Sequence, residues 1–357
     1  MKAWLLHDIG KISLDEVEKP LPGKGEVLVR VKAAGICGSD IPRIYETGAH
    51  NMPLIPGHEF SGIVESVNED GDKKWEGKRV AVCPKIPCGS SSECKNGSLN
   101  SCTSYDYVGS RRNGAFAEYV SVPADNLLEI PEEVSFEAAA MMEPLAVAVN
   151  AIRTGIMGNF NLGQDSPIAV WGLGTVGLMV VALLQDAGHR NIYVIGKREG
   201  QKKRALALGI AEDHCCDAKD TDPVKWLNEV SGGGAALLFE CVGRNECVSG
   251  GIDSLSSGGM LVLVGNPYSD MTLPKDTYWK ILRKQLTVKG IWNSAFYEEK
   301  TIYGPINDWN YALLRLGERI IDPEDFITHR YSIEELESGF NIMREKNEDY
   351  CKIMMAE

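Results

Sequence analysis

The sequence predicts an α/β protein of two domains, one β-rich and one a doubly wound parallel sheet covered by helices. Three observations predict it. At 357 residues the chain is too long for most single hydrophobic cores and short for three. Up to about residue 147, β-rich runs such as "GEVLVRVKAAG", "FSGIVESV", "KRVAV" and "AEYVSVP" are separated by Gly, Pro and Asp. Near residue 148 the pattern changes to apolar strands alternating with helical stretches: "SPIAVWG", "GLMVVALLQDAG", "NIYVIG", "KKRALALG", "AALLFECVG" and "MLVLVG".

From 287 onward "TVKGIWNSAF" resumes strand character, followed by the helical "DWNYALLRLGER" and "SIEELESGFNIMREKN". A tail of 287–357 is too small to bury a core alone, so it is expected to return to residues 1–147, leaving 148–286 as an insertion. Apolar residues, 44% of the chain, are enough to fill both domains.

A formal charge of −13 argues against nucleic acid or an anionic membrane as partner, since either needs a broad basic face. Neither a long uncharged apolar run nor a leader of the secretory kind is present in "MKAWLLHDIGKISLDEVEKP", and the expected location is the cytoplasm. In that reducing compartment the 10 cysteines are expected to be metal ligands, nucleophiles or buried residues rather than disulfides.

The inserted part opens on "AVWGLGTVGLMVVALL", where Gly172, Leu173, Gly174, Thr175, Val176 and Gly177 form G-x-G-x-x-G between an apolar strand and an apolar helix. Such a turn lets a pyrophosphate approach bare backbone at a helix N-terminus, so the stretch reads as a dinucleotide site. The second strand ends at Gly196, 19 residues after Gly177, where a ribose-binding acid is usual, and Lys197 and Arg198 follow. A missing carboxylate and two added cations suit a 2′-phosphate, so NADP(H) is expected over NAD(H). The plainer alternative is that "GKREGQKKR" is a solvated helix start.

"CGSDIPRIYETGAHNMPLIPGHEF" contains Cys37, His58 and Glu59, and "MMEPLAVAVNA" contains Glu143. Their donor types suit zinc, but spacing alone does not pair distant ligands, and an isolated Cys or His is more often metal-free. Five motifs, "GICGSD", "PGHEFSG", "GAFAEYV", "MMEPLAVAVNA" and "GLGTVG", resemble in order the landmarks of the zinc-dependent medium-chain alcohol and polyol dehydrogenases.

The resemblance implies a GroES-like catalytic domain formed by 1–147 and 287–357, with a Rossmann domain at 148–286. It makes Cys37, His58 and Glu143 ligands of a catalytic Zn2+, with Glu59 a ligand or exchanging neighbour. Ser39 would begin the proton relay and Asp40 would orient the loop. The family's structural zinc lobe has four cysteines; here Cys88, Cys94 and Cys102 are present and Ser91 stands at the second position, a poor replacement for a thiolate. Either Cys83 completes that site or packing alone holds the loop.

Within the family, "CGSDIPRIYETGAH", "YDYVGSRRNGAFAEY" and "KILRKQLTVKGIW" resemble the polyol-phosphate dehydrogenases. This implies oxidation of a secondary hydroxyl of a substrate like galactitol 1-phosphate with hydride transfer to NAD(P), and the reverse ketone reduction. Arg43, Arg111 and Arg112 would then meet the phosphate, although a surface salt bridge is the commoner fate of an arginine. His50 is expected either to relay a proton or to bond substrate, and Tyr45 either to contact sugar hydroxyls or to pack.

The rival readings are an unphosphorylated polyol or secondary alcohol dehydrogenase of the sorbitol type, a zinc-free quinone reductase, and a non-catalytic NADPH-binding protein. A homodimer or homotetramer is implied, with "MLVLVG" as the sheet edge that pairs between copies; the alternative is an ordinary buried strand.

Overall fold

The computed structural model describes residues 1–159, 162–301 and 304–357. Its first strands are β1 (Glu26–Ile36), β2 (Glu59–Val67), β3 (Arg79–Val82), β4 (Tyr119–Pro123) and β5 (Leu127–Glu129). β1 alternates apolar residues through "EVLVRVKAAGI" and pairs antiparallel with both β2 and β4. Its almost continuous burial means that both faces of this strand are covered.

Helix α1 (Met142–Gly158) leads into the inserted unit, where β6 (Ile168–Trp171) is followed by α2 (Thr175–Asp186), β7 (Ile192–Gly196), α3 (Glu199–Ala207), β8 (Cys215–Asp217), β9 (Ala235–Glu240), β10 (Leu255–Leu263), α4 (Lys275–Arg283) and β11 (Thr287–Gly290). Every pairing is parallel, in the order β8-β7-β6-β9-β10-β11, the doubly wound arrangement of a Rossmann sheet. All four residues of "IAVW" in β6 are buried, as expected of a central parallel strand covered on both faces.

The return segment contributes β12 (Ile327–Tyr331), α5 (Leu336–Glu345) and β13 (Lys352–Ala356). β13 pairs antiparallel with β1, giving the first sheet the order β12-β13-β1-β2-β3-β5. Beneath it lies a core that includes Trp4, Phe60, Phe116 and Phe340, with the Trp4 and Phe116 rings each 5.5 Å from Phe340.

Two compact units result, Met1–Pro144 with Ala295–Glu357, and Leu145–Ser294. This corrects the expected boundaries of 148–286 and 287–357. Residues 287–290 do not begin the return; they pair parallel with Met260–Leu263 of β10 as the last strand of the inserted sheet. The expected edge "MLVLVG" is likewise corrected: it belongs to β10, an inner strand, and the edge is the exposed β11. Among the described residues no helix is long and apolar enough to cross a membrane.

Candidate functional site

The end of β1, the start of β2 and the start of β13 meet at one place in the first unit. Cys37 follows β1 directly, and its amide donates to Asp40 Oδ2 at 3.0 Å while its carbonyl accepts from the Asp40 amide at 3.0 Å. His58 immediately precedes β2, and Glu59 is the first residue of that strand. The Cys37 thiol, a His58 ring nitrogen and a Glu59 carboxylate oxygen lie within 4.8 Å of one another. Thiol, imidazole and carboxylate converging in a buried corner form a donor set that fits zinc.

Each donor is held by a further group. Asp40, fully buried, lies 3.3 Å from His58 Nδ1 without hydrogen-bond alignment, and it accepts from Arg43 Nη1 at 2.6 Å. Glu59 is ion-paired with the ammonium of Lys352, which also donates to the Ile36 carbonyl at 3.2 Å. Gly35 leaves room for that pair, because a Cβ there would collide with Glu59 Oε2. Ser39 Oγ donates to Cys37 Sγ at 3.3 Å.

Burial lowers the His58 pKa, but Asp40 and Cys37 outweigh it and hold the imidazole well above its ordinary range. Burial raises the Asp40 pKa, yet His58, Arg43 and the Cys37 amide keep the carboxyl below its ordinary value. For Lys352, too, burial loses to the Glu59 charge, and the pKa is raised.

Glu143, in the first turn of α1, stands outside the 4.8 Å group, with Oε1 accepting from the Tyr107 hydroxyl at 3.2 Å. Burial pushes its pKa up to about 7, with His58 and Lys352 opposing and Glu59 adding. The resemblance ranked Glu143 before Glu59, whereas the geometry puts Glu59 with Cys37 and His58. Lys352 and Tyr107 were missed by sequence reasoning, and a buried basic residue near the chain end is visible only once β13 pairs with β1.

Other expected residues are engaged elsewhere. Arg43 is bound to Asp40, and Arg112 Nη2 pairs with Glu26 Oε1 at 2.6 Å. Both were expected to meet phosphate, and each has a carboxylate instead. Arg111 donates to the Tyr105 carbonyl at 3.0 Å and stacks on the Tyr105 ring at 4.5 Å, with no carboxylate partner among the described residues. Tyr45 packs against the core with the Arg344 guanidinium 4.5 Å above its ring, the packing alternative. His50 is exposed, and its neighbour Asn51 donates to the Arg111 carbonyl at 2.9 Å.

The three-cysteine lobe is drawn together without Cys83. Cys88, Cys94 and Cys102 Sγ atoms lie within 4.8 Å of one another, whereas Cys83 is buried elsewhere with its thiol pushed up to about 12, chiefly by burial. Hydrogen bonds from Ser90 and then Ser91 bring the Cys88 thiol down to about 6.

In the second unit, Gly172 turns at φ +103°, where a side chain would be strained, and a Cβ on Gly177 would collide with the Gly172 carbonyl. Gly174 precedes α2, and a Cβ there would meet nothing within 4 Å. The first turn of α2, at Thr175 and Val176, carries no acid, and Gly174 offers no side-chain cap. These features leave an open cradle suited to a pyrophosphate beside Leu173. Gln201 Oε1 accepts from the Lys197 and Arg198 amides at 3.1 and 3.2 Å, fixing the turn after Gly196 with the Lys197 side chain exposed. Glu240 was also missed: its Oε1 accepts from the Val242 and Gly243 amides at 2.8 Å each, holding the loop against which Gly172 packs.

Comparison with known proteins agrees with this layout. A family model described as "Alcohol dehydrogenase GroES-like domain" matches residues 23–132, and one described as "Zinc-binding dehydrogenase" matches 175–307. Galactitol 1-phosphate 5-dehydrogenase of Escherichia coli strain K12 is 33% identical over 315 residues, covering 87% of this chain and 86% of its own. L-threonine 3-dehydrogenase of Bacillus subtilis strain 168 is 32% identical over 353 residues, covering 96% and 95%. The crystal structure of galactitol-1-phosphate dehydrogenase from Escherichia coli superposes with a TM-score of 0.88 at 28% identity, with 100% of both chains covered.

Proposed function

The chain belongs to the zinc-binding, GroES-like alcohol dehydrogenase family, and from that premise we propose that it oxidises a secondary hydroxyl of a polyol phosphate of the galactitol 1-phosphate type, passing hydride to NADP, and runs the reverse ketone reduction. Its reaction class is oxidation of CH–OH. The observation that carries the reading is the buried cluster of Cys37, His58 and Glu59, each donor held by a second residue, in a chain whose other unit bears the open Gly172–Gly177 cradle.

Cys37, His58 and Glu59 would hold zinc, with Glu143 close by. Zinc bound there supplies Lewis acidity that lowers the pKa of the substrate hydroxyl, and the nicotinamide supplies the hydride acceptor. The Asp40 charge beside the His58 ring sustains its basicity as a ligand. Lys352, buried beside Glu59, balances its charge. The Ser39 hydroxyl would accept the substrate proton while releasing its own to solvent, and His50, exposed on its loop, is the group offered for exchange with solvent.

Arg111 is the cation that supports a phosphorylated substrate, since Arg43 and Arg112 already have carboxylate partners. Those same pairs favour the second reading, an unphosphorylated polyol. NADP is supported by the absence of an acid at Gly196 and by the exposed Lys197 beside Arg198. A homodimer or homotetramer in the cytoplasm, paired through the exposed β11 edge, completes the proposal.

The test compares zinc-loaded enzyme on galactitol 1-phosphate, galactitol, sorbitol and L-threonine, each with NADP and NAD. The proposal expects the phosphorylated polyol with NADP to be turned over fastest, and Arg111→Ala to raise KM for it alone by about 10- to 100-fold. Equal rates on galactitol and its phosphate would leave the unphosphorylated reading standing, and preference for L-threonine would replace both.

A further inference from the structure

The lobe 88–102 gathers three sulfur atoms around a corner that has no fourth. Cys102 Sγ lies 3.5 Å from Cys88 Sγ, and Cys88 Sγ lies 4.0 Å from Cys94 Sγ. Ser91 occupies the remaining side: its amide donates to Cys88 Sγ at 3.3 Å, and its Oγ accepts from the Cys94 amide at 3.3 Å and stands 3.9 Å from Cys102 Sγ. Cys94 and Cys102 are buried, while Cys88 is exposed, so the cluster faces solvent on one side.

The arrangement is anchored outside itself. Asn100 Oδ1 accepts from the Phe296 and Tyr297 amides at 3.0 and 3.1 Å, and its Nδ2 donates to the Tyr297 carbonyl at 2.7 Å. Tyr297 in turn donates to Asn126 Oδ1 at 3.0 Å. The loop is therefore held in place by groups other than the thiols, which leaves the thiols free to serve a ligand. Thiol-to-thiol contacts are weak, whereas three thiolates around one soft cation bind strongly.

We propose that this lobe is an open trithiolate metal site, in which Cys88, Cys94 and Cys102 bind a thiophilic d10 cation such as Zn2+ or Cd2+ and solvent takes the fourth position beside Ser91. Binding releases the thiol protons to solvent and changes no oxidation state. A closed structural site would need a fourth charged or strongly donating ligand. The Ser91 hydroxyl is neutral and already accepts from the Cys94 amide, so it does not close the shell. The consequence is an ion that the fold holds but that exchanges with its surroundings.

Cd2+ is the probe, because sulfur-to-cadmium charge-transfer absorption reports the number of thiolates bound, independent of turnover. The natural chain is expected to bind two Cd2+, one at each cluster. Cys94→Ala should keep one ion, with loss of most of the charge-transfer band, and Cys37→Ala should keep the lobe's ion and most of the band. Ser91→Cys should strengthen the band and slow loss of the lobe's ion to EDTA by at least about tenfold.

Ser91→Ala, a change at the solvent-facing side, should leave lobe binding intact. Its failure to bind with the fold preserved would make Ser91 a true ligand and overturn the open position. A natural chain that binds one ion at saturating free Cd2+, with the lobe thiols still reactive, would overturn the site itself. Ser91→Cys indistinguishable from the natural chain in band and exchange would overturn the role given to the missing fourth donor.

Discussion

Around Cys37 every donor has a charged or hydrogen-bonding neighbour that fixes it, whereas around Cys88 the donors have chiefly one another and two serine hydroxyls. The first cluster hangs from the ends of β1, β2 and β13, with His58 and Glu59 almost fully buried; the second sits in a loop with one thiol exposed. A site on paired strands is over-determined, so removal of any part leaves a buried charge without its partner. A site on a loop loses a ligand at smaller cost because water fills the gap. This difference explains how Ser91 is accommodated in one cluster while the other keeps its donors and their partners.

The largest effect that separates the two clusters is Cys37→Ala. It should abolish stoichiometric metal at the first cluster and cut turnover by roughly a thousandfold or more, whereas the lobe variants leave that metal in place. Metal content and turnover of the same preparations check this. Stoichiometric metal retained at this cluster would remove Cys37 from the ligand set, and unchanged activity in a chain verified to lack that metal would remove the metal from the chemistry.

Next in size is Lys352→Met, which strips the partner from Glu59 in a corner where Lys352 is 4% exposed. An uncompensated buried carboxylate should lower stability by about 3–5 kcal/mol in chemical denaturation. The loss should be smaller in zinc-loaded than in zinc-stripped protein, since a bound cation also balances Glu59. Equal losses in the two forms would separate Glu59 from the metal and leave it purely as the partner of Lys352.

What the sequence made visible follows the same division. The motif stretches singled out Cys37 and His58, with Glu59 as a ligand or neighbour, by their resemblance to a known pattern, and "GLGTVG" announced its own cradle through the steric demands of Gly172 and Gly177. Lys352 was not legible, because its pairing spans 293 residues and depends on β13 lying beside β1. Arg112 was misjudged for a similar reason, its Glu26 partner being 86 residues away.

Two errors did have local signals. Asp40 lies three residues before Arg43, a spacing that pairs opposite charges on a helical turn. "MLVLVG" is a continuous apolar run, the mark of an inner parallel strand, while the polar "TVKG" that follows it in the sheet has the character of an edge.

Arg43 supplies the smallest and most discriminating test of the comparison. Its guanidinium is bonded to Asp40, and Asp40 faces His58, so Arg43 acts on the first cluster through another side chain. As a positioning residue, its replacement in Arg43→Ala should lower kcat by about tenfold and weaken metal retention, with KM for phosphorylated and unphosphorylated polyols changed alike. Lysine, which keeps the charge but not the fork, should rescue metal retention in part. A rise in KM confined to the phosphorylated substrate, with metal retention untouched, would return Arg43 to the phosphate. The first cluster would then rest on Asp40 unaided, closer in construction to the lobe than the present contacts make it.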